Sequence, residues 1–134
     1  MKGDDIRVET VMRRDMLFVD GLSSVGDGLR LMRQNKVSSL VIEKRDEGDE
    51  YGFLTVNEIA TQVLAQNRPL ERTAVYEIME KPILTVAPKM RVKYAVRLLA
   101  RLGRRRALVE NDSGLLGFVS LRDLVLSYAD ALSE

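Results

Sequence analysis

Apolar positions in the second half of the chain change from a helical to a strand-like period and back. Four residues follow the i, i+3, i+4, i+7 spacing of one helix face: Val92, Ala95, Val96 and Leu99. The short runs at 107–109 and 117–119 are continuous and apolar, which is typical of buried strands. Helical spacing then returns at Leu121 and Leu124, so we predict helix, strand, strand, helix.

The first half of the chain repeats this pattern. Met12 aligns with Met79 and Val19 with Val86, an offset of 67. At the same offset, the helical stripe of the second half aligns with four residues of the first half: Val25, Gly28, Leu29 and Met32. The strand-like segments also correspond, 37–43 with 104–110 and, at an offset of 65, 51–59 with 116–124. Each half therefore predicts strand, helix, strand, strand, helix.

A unit of this size buries its sheet poorly on its own, so we expect the two halves to pack through their sheets. The predicted class is an α/β (α+β) fold of two repeats with pseudo-twofold symmetry. The expected bounds are 8–66 for the first repeat, 67–74 for a polar linker containing Pro69, and 75–131 for the second repeat. Grooves where repeated units meet are common sites for small ligands.

Composition removes several classes of chemistry. The chain has neither Cys nor His, which excludes disulfides, Ser-His-Asp and Cys-His catalysis and the usual zinc ligands. No nucleophile–base pair, glycine-rich phosphate loop or metal cluster is present, so we expect no enzyme and no metal. With 46% hydrophobic residues, no run of about 18 apolar residues and no signal-like N-terminus, we expect a cytoplasmic globular protein without a membrane segment.

Charge is balanced in number but not in position. The chain has 21 Lys and Arg against 20 Asp and Glu. The acidic segment 43–50 contains Gly48 between two strand-like runs and predicts a solvated hairpin loop. All charged residues of the segment 89–106 are basic. One interpretation is that six of them form a nucleic-acid-binding stripe: Lys89, Arg91, Lys93, Arg97, Arg101 and Arg104. The net charge of +1 and the lack of Trp argue against that alternative.

The repeated pattern resembles a known family. Each copy has a V-M-x-x-x-h-h-h-V leading strand (h is apolar; in the second copy Ile replaces the first Val and Thr the last h), an amphipathic helix, a second strand and a G-h-h-[ST]-x-x-[DE]-h strand-to-helix junction. Together they resemble a tandem CBS domain pair, or Bateman module, over residues 8–129. The resemblance implies a non-catalytic regulatory module that binds an adenosyl ligand in a cleft between the repeats.

The resemblance also implies which residues face the ligand. Asp123 would hold the ribose hydroxyls, with Ser120 near the ribose or phosphate. Leu17 and Val37 would sandwich the adenine. The small Ser38 and Ser39 would let the base approach the backbone, and Arg105 and Arg106 would face phosphates. These arginines favour AMP, ADP or ATP over S-adenosylmethionine. The residues alone leave a second interpretation open, in which Ser120 and Asp123 serve only the start of their helix.

The second cleft between the repeats, which the junction of the first repeat would form, departs from the family pattern. Its junction residues are Thr55 and Glu58, and the small strand is replaced by Arg104, Arg105 and Arg106. Three arginines would crowd a base, so we expect this cleft to be empty or to hold only a phosphate-like anion.

The two repeats leave no effector domain within this sequence. We therefore expect signalling to a separate partner protein or through a homodimer. Apolar helix residues would supply the dimer surface: Leu98, Leu102, Val125 and Leu132.

Overall fold

The computed structural model describes residues 5–132. It divides into two compact units, which we name after their junction carboxylates. The Asp123 unit consists of Met1–Met16 and Leu84–Glu134, and the Glu58 unit of Leu17–Ile83. Each unit therefore contains the leading segment of one repeat and the remainder of the other.

The predicted order of elements is confirmed in both repeats. Along the chain the elements are α1 (Val8–Val11), β1 (Phe18–Val19), α2 (Val25–Asn35), β2 (Ser39–Ile42), β3 (Gly52–Thr55), α3 (Val56–Ile59), β4 (Thr85–Val86), α4 (Val92–Leu102), β5 (Arg106–Asn111), β6 (Gly114–Ser120) and α5 (Leu121–Leu132). A π-helical segment, Ala60–Leu64, continues α3, and a 3-10 turn spans Val75–Glu77. The leading strands are only two residues long, shorter than the pattern suggests, and α1 lies ahead of the first of them.

In the Glu58 unit, β2 lies between β1 and β3, parallel to the first and antiparallel to the second. The segment 43–50 connects β2 to β3, which confirms the predicted hairpin. Helix α2 packs Val25 and Met32 into the same core as Leu40 and Leu54. The first turn of the second repeat adds Val75, so the leading segment completes this core.

The Asp123 unit repeats this arrangement with β4, β5 and β6. The predicted stripe of α4 is confirmed, since Val92, Ala95 and Leu99 are fully buried. Val8 of α1 joins that core. Gly117 lets the leading segment approach the sheet, because a Cβ there would collide with the carbonyl oxygen of Arg13.

Helices α2 and α4 end at equivalent left-handed residues, Lys36 (φ 56°) and Gly103 (φ 65°). Each reverses the chain into the strand that carries the predicted second-strand site residues. The same turn is therefore built once with glycine and once with a residue for which this conformation is less favourable.

Candidate functional site

The junction between β6 and α5 carries the first two predicted site residues. Ser120 is the last residue of β6, and its Oγ accepts a hydrogen bond of 3.0 Å from the backbone N–H of Asp123. This bond satisfies one of the free N–H groups at the helix start. Ser120 therefore caps α5, as one of the two sequence interpretations expects.

The Asp123 carboxylate reaches the leading segment and also lies beside the Ser120 side chain at its own helix start. Its Oδ2 accepts a hydrogen bond of 3.0 Å from Nε of Arg13, and Arg122 Nη1 lies 3.7 Å from Oδ1. The Asp123 side chain is 17% exposed and that of Arg13 is 55% exposed. The bond from Arg13 is the main reason why the pKa of Asp123 lies below its ordinary value. Asp123 is therefore an ionised acceptor at neutral pH.

A hollow of about 550 Å³ lies beside this junction. Three of the predicted site residues line it: Arg105, Arg106 and Ser120. Its other lining residues come from α5: Leu121, Arg122, Val125 and Leu126. The backbone places Arg105 there, because its carbonyl oxygen accepts a 2.7 Å bond from the N–H of Leu121. Guanidinium groups beside an apolar wall suit an anionic ligand with an apolar part.

The equivalent junction in the Glu58 unit is closed on itself. Oε1 of Glu58 accepts bonds from the backbone N–H of Thr55 (2.8 Å) and from its Oγ1 (2.9 Å). Thr55 Oγ1 in turn accepts a 3.2 Å bond from the N–H of Asn57. This capping box occupies the Glu58 carboxylate with its own helix start.

The four residues predicted to hold the base belong to the Glu58 unit. Leu17 and Val37 are half-buried against its core. Ser38 is exposed, and its carbonyl oxygen accepts a 3.2 Å bond from the N–H of Val56. Ser39 pairs with Thr55 across β2 and β3. The structure thus brings Ser38 and Ser39 to the Thr55 junction, just as it brings Arg105 and Arg106 to the Ser120 junction.

Arg104, which the sequence assigns to the degenerate cleft, is exposed and directly follows the turn at Gly103. It is not among the residues that line the hollow beside Ser120. Its contribution to an anion site remains a prediction.

A second hollow, of about 600 Å³ and lying in the Glu58 unit, was not predicted. It is lined by Asp20, Gly21, Leu22, Ile42, Glu43, Lys44, Arg45, Tyr76, Met79 and Lys81. Next to it Asp49, whose side chain is only 8% exposed, forms ion pairs with Lys81 (2.8 Å) and Arg45 (3.1 Å). The acidic segment is therefore not solvated throughout. Lys81 lies too far along the chain for a local pattern to reveal this pair.

The basic stripe on α4 is partly engaged within the chain. Lys93 Nζ and the Arg97 guanidinium lie 5.2 and 5.6 Å from the centre of the Tyr94 ring. Lys89 pairs with Glu9 at 3.0 Å. Both contacts occupy cations that a nucleic acid would need.

Within residues 5–132, no group of three acidic side chains could hold a metal ion. No helix in this range has the length and apolar character that crossing a bilayer requires.

Comparison with known proteins identifies the repeats. The family model of the CBS domain matches the chain twice, at residues 8–65 and 75–130. An uncharacterized protein of Methanopyrus kandleri is 27% identical over 121 residues, which cover 90% of this chain and 61% of that protein. The chain spans between 43 and 61% of the length of three curated relatives.

Many solved structures share the fold, and two of them serve as examples. The hexameric CBS-CP12 protein from bloom-forming cyanobacteria has a TM-score of 0.86 and 32% identity, covering 95% of this chain and 73% of that one. A CBS domain protein from Pyrobaculum aerophilum, solved in complex with AMP, has a TM-score of 0.76 and 24% identity, covering 96% and 97%.

Proposed function

The chain belongs to the CBS domain family as a tandem pair, and from this membership we propose that it is a regulatory sensor of AMP, ADP or ATP. The observation that carries the proposal is the junction of Ser120 and Asp123: Asp123 is an ionised carboxylate, and Ser120 lines a hollow together with Arg105 and Arg106, although Asp123 itself is not among the lining residues. The same fold binds AMP in the Pyrobaculum protein. The chain acts by binding, and we assign no catalytic step to it.

Asp123 is suited to a ribose. An ionised carboxylate has two acceptor oxygens and can receive hydrogen bonds from both hydroxyls of a ribose. The lowered pKa keeps it in that form throughout the physiological range. Ser120 can cap α5 and still lie at the edge of the ligand, because it lines the hollow while its Oγ accepts the bond from the N–H of Asp123.

The hollow is suited to phosphates. Arg105 and Arg106 offer guanidinium donors that match phosphate geometry, and Arg122 adds a third cation. S-adenosylmethionine has no phosphate and a positive sulfonium, so these side chains favour a nucleotide. Leu17, Val37, Ser38 and Ser39 are proposed to hold the adenine on the strength of the family resemblance.

The signal leaves the module through a partner protein or a second copy of the chain. Leu102, Val125 and Leu132 of the proposed dimer surface are at least half exposed. Leu98 instead packs partly against the core and offers less surface. Val125 also lines the hollow, so a ligand there would touch a residue of the proposed dimer surface. Sedimentation at micromolar concentration, with and without AMP, tests the dimer.

A thermal-shift screen of AMP, ADP, ATP, adenosine and S-adenosylmethionine tests the ligand. A ligand that binds only the native state adds about 2.7 kcal/mol to the free energy of unfolding at a concentration of a hundred times its Kd. The melting temperature rises as a result. We expect a rise with the nucleotides, a smaller one with adenosine and none with a single-stranded oligonucleotide. No rise with any adenosine compound would refute the proposal, and a rise with the oligonucleotide alone would favour the nucleic-acid alternative.

A further inference from the structure

Arg13 is held against the Asp123 junction by its backbone as well as its side chain. Its N–H donates to the carbonyl oxygen of Phe118 (2.8 Å), and its own carbonyl oxygen accepts from the N–H of Phe118 (3.0 Å). Its Nε donates to Asp123 at 3.0 Å. Three residues later, at Met16, the chain leaves this unit. Arg13 therefore joins the junction carboxylate to the segment that leads out of the unit.

The equivalent residue in the other repeat is Glu80, at the same offset of 67. It makes the same two backbone bonds, to Phe53, at 2.9 and 2.8 Å. The backbone arrangement is thus repeated while the side-chain charge is reversed. Since the fold forms there without an arginine, the ion pair with Asp123 is not a requirement of the backbone.

We propose that Arg13 is an internal competitor of the ligand: its guanidinium occupies the carboxylate that the ribose hydroxyls would take, and binding releases it. The inference rests on the proposed nucleotide function and adds its regulation. Once released, Arg13 no longer ties residues 13–16 to α5, so the occupancy of Asp123 is transmitted to the segment leading out of the unit.

The strength of the pair fits a competitor that can be displaced. Arg13 is more than half exposed, and ion pairs of exposed side chains contribute little because water and salt screen them. Because the ligand must break the pair in order to bind, the pair should make the affinity of the wild type only about 1.5- to fivefold lower than that of a protein without it. The carboxylate is available to a ribose at this modest cost.

The variant Arg13→Gln tests the competition, with Arg14→Gln as a matched control. Arg14 is the next residue, is exposed and forms no ion pair within residues 5–132. Calorimetric titration with adenosine avoids any effect of phosphate charge. We expect Arg13→Gln to bind adenosine about 1.5- to fivefold more tightly than the wild type, and Arg14→Gln to bind it unchanged.

Salt gives a second measure of the same pair. Raising NaCl screens the Arg13 to Asp123 attraction, so the wild type should bind adenosine more tightly as salt rises, toward the value of Arg13→Gln. The variant itself should show no such dependence. Hydrogen exchange at the Arg13 N–H should also become faster when adenosine is added to the wild type, because release of the side chain loosens this segment.

Unchanged or weaker adenosine binding by Arg13→Gln overturns the inference. So does a selective loss of AMP affinity with adenosine unaffected, since Arg13 would then be a phosphate contact. A wild type that binds neither adenosine nor AMP refutes the proposed function itself. That result is distinct from the first two, in which the wild type binds.

Discussion

The two strand-to-helix junctions share one backbone plan but use their carboxylates in opposite ways. Glu58 reaches back to the backbone N–H of Thr55 and closes a capping box. Asp123, one methylene shorter, bonds instead to Arg13. The capping box needs a side chain at the third helical position that reaches back to the N–H of the cap residue, as Glu58 does. The two carboxylates therefore have different main partners: the helix start itself for Glu58, and Arg13 of the leading segment for Asp123.

The residues facing each junction reinforce this difference. The leading segment brings Arg13 to Asp123, whereas the equivalent position near Glu58 is Glu80. A second carboxylate cannot form with Glu58 the ion pair that Arg13 forms with Asp123. The strand beside each junction also differs, with Ser38 and Ser39 in one unit and Arg105 and Arg106 in the other.

The largest expected effect is on ligand binding by Asp123→Ala. Loss of charged hydrogen bonds to a ribose should weaken AMP binding by about 1.5 to 3 kcal/mol, roughly tenfold to more than a hundredfold. Calorimetric titration measures this, and Glu58→Ala is the matched control, expected to bind AMP nearly as the wild type does. Loss of binding only in Glu58→Ala would reverse our assignment of the two junctions.

The variant Arg105→Ala tests whether the hollow beside Ser120 binds phosphate groups. We expect ADP and ATP to bind about tenfold more weakly, since a charged hydrogen bond to phosphate is lost, while adenosine binding is unchanged. Arg101→Ala removes the same charge from an exposed position of α4 that does not line the hollow, and should change neither. Equal losses in the two variants would indicate a general charge effect and no phosphate contact at Arg105.

A smaller effect is expected on stability at the Glu58 junction. Glu58→Ala opens the capping box and should lower the free energy of unfolding by about 1 kcal/mol. Glu58→Gln keeps an acceptor for the Thr55 N–H and should lose less. Thermal or urea unfolding of both variants measures the difference. If Glu58→Ala unfolds like the wild type, the box contributes nothing to stability.

The smallest expected effect is that of pH on adenosine affinity. The pKa of Asp123 is lowered in the folded protein, so its ion pair stabilises the fold above the unfolded pKa of about 3.9. That contribution is lost as pH falls through the lower, folded pKa. Adenosine affinity should therefore be constant between about pH 5 and 8, because the chain also lacks histidine. An affinity that changes within this range would mean that another group titrates at the site.

Much of the fold could be predicted from the sequence because it depends on local periodicity. The stripes of α2 and α4, the hairpins and the strand-to-helix junctions are all set by which side chains can be buried at a spacing of 3.6 or 2 residues. The offset between the repeats predicted that each half has the same order of elements. The leading segments were less predictable, because the regular elements in them are short: a helix of four residues and two strands of two residues each.

Site residues divide in the same way. The sequence by itself determined the chemistry at each junction: Ser and Asp in one, Thr and Glu in the other, with arginines on only one neighbouring strand. Only the tertiary structure decided the partners, because Arg13 and Asp123 are 110 positions apart, and Asp49 and Lys81 are 32 apart. Such pairs depend on how the backbone brings distant segments together, and a local pattern of apolar and polar residues contains no information about that approach.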